Sequence, residues 1–340
     1  MTIVGIIANP ASGKDIRRVV GHALVIGNRE KSNIVRRILI GLHAAGINDV
    51  RIMPDKFGIG ILAINELQNR WSEVVKGVQV LDMDFTGTGI DSILATRALK
   101  NAGAACILTL GGDGTVRLVA KESGNIPVLP VSTGTNNVLP MFIEGTIAGL
   151  AAGYLAMQDG ARQESLCYQH KRMEIRMNGK TADSALIDVA AVDASFAGSK
   201  AVWESSAFKQ IFVTRASPSS IGVSSIIGMV KPVFVYDLFG AMAVICSEDQ
   251  GQRVIAPVGP GLITSLYLQS IEKMEPDKAY PVLDQRPLML ALDGEREIYL
   301  GAEDKAEIVL RTDGPWIVDV DRVMQDAVQN KYFISEERKL

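Results

Sequence analysis

ILTLGGDGTVRLVA, residues 107–120, carries an apolar strand into a helix through three glycines and one carboxylate. Ile107, Leu108, Thr109 and Leu110 are apolar or β-branched, and Thr115 opens a helical pattern. Glycines remove Cβ atoms and allow positive φ, so successive N–H groups can converge on an anion. The helix that follows adds the positive end of its dipole. A phosphate is the natural guest. Asp113 would repel it unless a cation or an incoming hydroxyl lies between them, which suits a metal-holding or proton-accepting role. The competing reading makes Asp113 a simple helix cap.

Upstream, strand-like and helix-like segments alternate. IVGIIAN (3–9), VRIMP (50–54), VQVLDMD (78–84), ACILTL (105–110) and IPVLPV (126–131) read as strands. Between and after them, EKSNIVRRILIGLHAAG (30–46), GILAINELQNRWSEVV (60–75), DSILATRALKNAG (91–103), TVRLVAKES (115–123) and TIAGLAAGYLAMQ (146–158) read as helices. Near-continuous apolar strands separated by helices predict an α/β domain, a Rossmann-like parallel sheet covered on both faces. From about Asp159 the pattern becomes a series of strands, among them KRMEIRM (171–177), SALIDVAAV (184–192), QIFVTRA (210–216) and LMLALDG (288–294). That predicts a mostly antiparallel β domain. VDVDRVMQDAVQNKYF (318–333) returns to helical spacing. The expected organisation is an α/β phosphate-binding domain over 1–160, a β-rich acceptor domain over 161–313, and a C-terminal helix in 314–340 that packs back on the first domain.

Two more strand ends carry polar turns. NPASGKD follows the first strand and resembles a phosphate-binding P-loop, although Ala8 replaces its first glycine and Asp15 follows Lys14. It can still offer Ser12, Gly13 and Lys14 to a phosphate. STGTNN, Ser132 to Asn137, follows the fifth strand and supplies hydroxyl and amide groups able to bind ribose or phosphate. Ligands of an open parallel sheet bind at the carboxyl ends of its strands, where all three turns fall. FTGTGIDS (85–92) lacks the last glycine of a dinucleotide fingerprint and reads as a turn with a helix cap.

The composition excludes several classes. Net charge is -3 and the pI about 5.8, which argues against a nucleic-acid-binding surface. Cys106, Cys167 and Cys246 are few, distant and outside any CxxC pattern, so free thiols in a reducing compartment are expected. His22, His43 and His170 have no zinc-ligand spacing. MTIVGIIANP lacks the basic start of a signal peptide, and no apolar run reaches membrane-spanning length. A cytoplasmic protein without membrane attachment is expected.

Taken together, NPASGKDIRR, LGGDGT, STGTNN and LALDGERE resemble the NAD kinase and diacylglycerol kinase superfamily, and within it the acetoin-catabolism protein X branch of ATP-NAD kinase-like proteins. The resemblance spans roughly residues 1–300. It implies two domains with the active site in their cleft, ATP and Mg²⁺ as cofactors, and a homo-oligomer. It implies Asp113 as the catalytic carboxylate, with Gly111, Gly112, Gly114 and Thr115 as its phosphate-binding turn. Asn9, Ser12 and Gly13 would form the first phosphate loop. Thr133, Gly134, Thr135, Asn136 and Asn137 occupy the family's nucleotide-contacting turn. Asp293, Gly294 and Glu295 match the DGE of the lipid-kinase relatives, where a type I′ hairpin turn is the other reading. Two departures stand out. The Asn-Glu pair of NAD kinases is replaced at best by Ile187-Asp188, leaving Asp188 as the acceptor-side carboxylate or a plain strand-end residue. Their Gly-Ser-Thr-Ala-Tyr loop is replaced by SPSSIGVSS (217–225), without a tyrosine. The expected activity is ATP-dependent phosphorylation of a hydroxyl on a small soluble metabolite, with NAD the leading acceptor. The alternatives are a lipid or sphingoid-type kinase, and a nucleotide-binding regulator without turnover.

Overall fold

In the computed structural model, residues 1–12, 26–134, 137–194, 207–248, 250–283, 287–294 and 296–334 are described. Ile3–Ala8 (β1), Asp49–Ile52 (β2), Val78–Val80 (β3), Ala104–Gly111 (β4) and Val128–Ser132 (β5) pair in parallel in the order β3-β2-β1-β4-β5. Register is held by apolar neighbours: Ile6 lies beside Ile52 on one side and Leu108 on the other. The order reverses between β1 and β4, so the loops that leave their carboxyl ends open a crevice there.

Helices cover both faces, which explains why these strands read as unbroken apolar runs. On one face, helices Asn28–Ala44 and Gly145–Ala156 cross at glycine contacts. A Cβ on Gly149 would lie 2.3 Å from the carbonyl oxygen of Ile38, so only glycine permits that approach. On the other face, helices Ile90–Asn101 and Asp113–Ser123 bury Leu99, Val116 and Val119 against Ile7 and Ile107. The helix expected over 60–75 is two pieces, Ile59–Gln68 and Ser72–Val75. It breaks at the exposed Asn69 and Arg70, and the N–H of Trp71 closes the last turn on the Leu67 carbonyl.

The second half is a β-sandwich. After β6 (Cys167–Gln169) come β7 (Arg172–Met177), β8 (Lys180–Ala185), β9 (Asp188–Asp193), β10 (Phe208–Val213), β11 (Gly240–Cys246), β12 (Gln252–Gly259), β13 (Leu262–Met274), β14 (Ala279–Pro281), β15 (Leu288–Leu292), β16 (Arg296–Leu300) and β17 (Ala306–Arg311). A seven-stranded antiparallel sheet, β12-β13-β11-β10-β9-β15-β16, faces a four-stranded one, β14-β17-β7-β8. Met173, Ile175, Phe212, Leu290 and Ile308 fill the space between them. The single strand expected over 184–192 is a sheet switch. β8 ends at Ala185, the chain turns at Leu186-Ile187, and β9 starts in the other sheet. Leu186 and Ile187 are buried with Ile7, Leu139 and Ile317, which joins the two halves through one apolar core.

The chain then returns to the first sheet. Trp316–Val318 (β18) adds parallel to β5, and β6 closes the edge antiparallel to it. Helix Val320–Gln329 buries Val320, Val323 and Ala327 in the first domain's core, and the Tyr154 hydroxyl donates to Asp326 at 2.7 Å. Among the described residues, no helix is long and apolar enough to cross a membrane.

Candidate active site

All three polar turns lie at the carboxyl edge of the parallel sheet and are hydrogen-bonded to one another. Asn9 Nδ2 donates to Thr115 Oγ1 at 2.9 Å, and its Oδ1 accepts the N–H of Ala11 at 2.9 Å. The Asn9 side chain therefore shapes the first loop and ties it to the second turn, instead of reaching out to a ligand. The hydroxyls of Ser12 and Thr133 are 3.0 Å apart, linking the first turn to the third. The N–H of Thr133 donates to the Gly111 carbonyl at 3.2 Å, linking the third to the second. Ser132 Oγ and the Gly134 carbonyl both accept from Asn137 Nδ2, at 2.8 and 3.1 Å, which folds the third turn on itself. Gly13, Lys14, Thr135 and Asn136 lie outside the described residues.

The glycines act through space, not through backbone sign. Gly111, Gly112 and Gly114 are absent from the positive-φ positions, contrary to the sequence expectation. A Cβ on Gly111 would sit 2.3 Å from Thr115 Oγ1, so glycine is what lets the strand end pack on the helix start. Gly112 is the extended residue that precedes the helix. Asp113, its first residue, accepts the N–H of Val138 at 2.9 Å and of Leu139 at 2.8 Å, one on each carboxylate oxygen. These bonds join the turn after β4 to the segment after the third turn, beyond neighbouring β5, so Asp113 is not a local cap of its own helix. They fix the plane of the carboxylate beside Thr115 and Thr133.

Lys31 completes the first loop and is not among the sequence candidates. Its side chain is fully buried, and its ammonium donates to the carbonyls of Asn9 at 2.8 Å and Ser12 at 2.9 Å. The signal is present in the helix pattern. Lys31, Ile34, Val35, Ile38, Leu39 and Leu42 form one buried stripe, and a lysine on such a stripe requires partners. Close by, burial raises the Asp55 carboxyl, while the N–H groups of Phe57, Ile59 and Gly58 and the Lys31 charge pull it back.

The second domain meets this edge through the Leu186-Ile187 corner and Asp293. Both Asp293 and Gly294 have positive φ, 47° and 68°, as a tight hairpin turn requires. The Asp293 side chain is wholly buried and accepts the N–H groups of Leu186, Ile187 and Asp188. Burial raises its carboxyl, against those N–H groups and Arg117, whose Nε lies 3.5 Å away. This corrects the acceptor-binding expectation for Asp293: with its carboxylate enclosed by the chain's own amides, it is a clamp between the hairpin and the sheet switch. Arg117 stands one helical turn beyond Asp113, so the clamp also grips the helix of the glycine turn. Asp188 starts β9 at the same corner and is buried at 7% exposure, with its carbonyl accepting the Asp293 N–H at 3.0 Å. Glu295 lies outside the described residues. In the SPSSIGVSS segment, Ser225 donates to the Gly222 and Pro257 carbonyls, a structural tie. FTGTGIDS is the expected turn, with Asp91 accepting the N–H groups of Thr86 and Gly87 at 2.7 Å each.

A helix start kept close by Gly111 suits a phosphorylated ligand, while the Ser12 hydroxyl donates to the Asn9 carbonyl at 2.9 Å and accepts from Thr133, so a ligand would take these hydroxyls over from the turns themselves. Among the described residues, no group of three His, Cys, Asp or Glu side chains is placed to hold a metal ion. A Mg²⁺ would have to arrive on a ligand's phosphates, since it retains waters and needs one or two carboxylates at most.

Switch-point turns on a parallel sheet, faced by a β-sandwich, define an NAD kinase-like protein. Residues 4–159 match the family model for the ATP-NAD kinase N-terminal domain, and residues 171–313 that for the acetoin catabolism protein X C-terminal domain. The chain is 35% identical over 332 residues to acetoin catabolism protein X of Cupriavidus necator, covering 96% of this chain and 92% of that one. It belongs to the acetoin catabolism protein X family. Among solved structures it is similar to that of a "putative diacylglycerol kinase" from Bacillus anthracis, with TM-score 0.44 and 12% identity over 93% of this chain and 96% of that one.

Proposed function

We propose that the protein transfers a phosphoryl group from ATP to a hydroxyl of a soluble metabolite, with NAD the leading acceptor. The observation that carries this is the mutual hydrogen bonding of three phosphate-type turns around Asp113 at one sheet edge. Further support comes from the match of residues 4–159 to the ATP-NAD kinase family model. The Cupriavidus necator relative is named for acetoin catabolism, and the same metabolic setting is part of the proposal.

In this reading Ser12, Gly111, Gly112, Gly114, Thr115, Thr133 and Gly134, with Gly13, Lys14, Thr135 and Asn136, cradle the nucleotide phosphates. Asn9, Lys31 and Asn137 hold the cradle in shape. Asp113 takes the proton of the acceptor hydroxyl, whose oxygen attacks the γ-phosphorus as ADP leaves. Mg²⁺ travelling with the nucleotide neutralises charge on the phosphates. Asp188 is the acceptor-side carboxylate.

The test incubates the protein with ATP, Mg²⁺ and NAD and reads NADP with an NADP-specific dehydrogenase. A metabolite extract screened by mass spectrometry for species gaining one phosphoryl group extends it to other acceptors. Product with another hydroxyl compound retains the phosphotransferase reading and replaces NAD. A second reading is a nucleotide-binding regulator, favoured by the engagement of both Asp113 oxygens with backbone amides. ATP binding with no phosphorylated product from any acceptor selects it.

A further inference from the structure

Beyond the three turns, a cavity opens on the same edge of the parallel sheet. It holds about 200 Å³ and lies where β5 and β18 diverge. Those strands pair only at Val128 and Ile317, and the segment around Met141 takes over beside β5, with the Ser132 N–H donating to the Met141 carbonyl. The floor is apolar: Pro130, Leu139, Ile143 and Ile317. Two aromatic walls, Tyr168 and Tyr236, stand edge to face with centroids 6.0 Å apart. Arg215, at the end of β10, supplies a half-buried guanidinium.

The wall is built in advance. Lys171, almost completely buried, donates to the carbonyls of Phe234, Asp237 and Phe239, and the Phe234 N–H donates to Asp237 at 2.7 Å. Val235 and Tyr236 are therefore held before any ligand arrives. The Tyr236 hydroxyl is fixed by donating to Asp319 at 2.9 Å and accepting from Arg322 at 2.9 Å.

The charges around the cavity are unequal in their engagement. Asp319 accepts Tyr236 and the N–H of Arg322. Asp321 is exposed to water. Lys171 is satisfied by carbonyls. Arg215 faces the Tyr168 phenol, which burial pushes up to about 12 and so keeps protonated. Among the described residues, no carboxylate lies within ion-pair distance of Arg215. A half-buried guanidinium with no counter-ion among the described residues, beside a cavity with an apolar floor, favours an anionic partner.

We propose that this cavity binds a small apolar monocarboxylate, its ring or branched chain on the Pro130, Leu139, Ile143 and Ile317 floor beside the packed Tyr168–Tyr236 pair and its carboxylate on Arg215. The volume sets the size: a cavity of about 150 Å³ accepts benzene, so one ring or a short branched chain fits. Leu139 forms part of the floor and donates its N–H to Asp113, so the site adjoins the reaction centre through one residue. The proposal is independent of the phosphotransfer reading, because its test reads binding and not turnover.

The test titrates the full chain with benzoate, phenylacetate and 3-methylbutanoate, and with the matching primary amides, by ligand-observed NMR. The acids should bind at least ~10-fold more tightly than the amides, as a charge-assisted contact predicts. Arg215→Met should erase that preference, and Tyr236→Ala should weaken acids and amides alike. Met141→Trp, at a half-exposed position on the rim, should block both; it serves as the locating variant if Arg215→Met does not fold. Equal binding of acids and amides, unaltered binding by Met141→Trp, or no binding of any acid up to ~10 mM would overturn the proposal.

Discussion

The ammonium of Lys31 donates to the main-chain carbonyl of Asn9 at 2.8 Å from a fully buried position. The first phosphate turn is thus held from beneath by a cation that comes from the following helix. Truncation takes the ammonium from the Ser12 carbonyl and leaves the Asn9 carbonyl with the Ser12 hydroxyl alone at 2.9 Å and a longer N–H contact. Lys31→Met is expected to lower unfolding free energy by ~2–4 kcal/mol. Urea unfolding measures that. Nucleotide affinity measured in parallel should also fall, because the loop loses its anchor. Unchanged stability and affinity would mean that the loop keeps its shape without Lys31.

Gly111→Ala tests the space argument. The new Cβ would lie 2.3 Å from Thr115 Oγ1 and 2.6 Å from Thr115 Cβ, both inside contact distance. Strand end and helix start must separate, which breaks the Asn9–Thr115 bond. A loss of ~1–3 kcal/mol in stability is expected, with weaker nucleotide binding. Gly46→Ala is the comparison: its Cβ meets nothing within 4 Å, but its φ of +87° makes the cost one of backbone strain. It should spare nucleotide affinity.

His170 gives a pH signature. It is fully buried at the crossing between the two domains, where its Nε2 lies 3.1 Å from the Leu186 carbonyl. Burial, then the charges of Arg215 and Lys171, lowers its pKa from 6.5 to about 3. The folded protein keeps His170 neutral while the unfolded chain takes up a proton below about pH 6.5. Its contribution to stability is therefore complete above that pH and is lost progressively as pH falls toward 3, by up to about 4 kcal/mol. His170→Gln retains a donor for Leu186 but cannot titrate. Its stability should decline less steeply than wild type between pH 6.5 and 4 in denaturant titrations. Parallel slopes would show that other groups control the acid limb.

Much of this was visible in the chain and some was not. The apolar runs around Ile6 and Leu108 announced a covered parallel sheet because burial on both faces leaves no alternation to misread. The polar turns were legible because Gly111, Ser132 and Asn9 fall where strands end. The Leu186-Ile187 switch was hidden, since a strand that changes sheets keeps its β pattern while its partners change. β18 was hidden by length: Trp316–Val318 is three residues, and its pairing with β5 depends on the chain returning from the second domain. Lys31 was legible in principle as a charge on a buried stripe. The enclosure of Asp293 was not, because a DG turn specifies φ and says nothing about which amides its carboxylate meets.

Asp113→Asn separates chemistry from architecture only if both are measured. Asp113 accepts one N–H on each oxygen, from Val138 and Leu139. Asparagine has one acceptor oxygen, and its NH₂ would face the other N–H, donor against donor. The substitution is therefore not shape-neutral. It should cost ~1–3 kcal/mol of stability, apart from any effect on turnover. If Asp113 also takes the acceptor's proton, turnover should fall by ~10²–10⁴-fold at a temperature where the variant is fully folded and still binds nucleotide. Val138→Pro gives the control, because it removes one of the two N–H partners and leaves the carboxylate in place. Comparable stability loss in both, with turnover lost far more in Asp113→Asn, assigns the proton transfer to Asp113. Equal turnover in the two variants at equal stability leaves Asp113 as the strut that holds the third turn against the second.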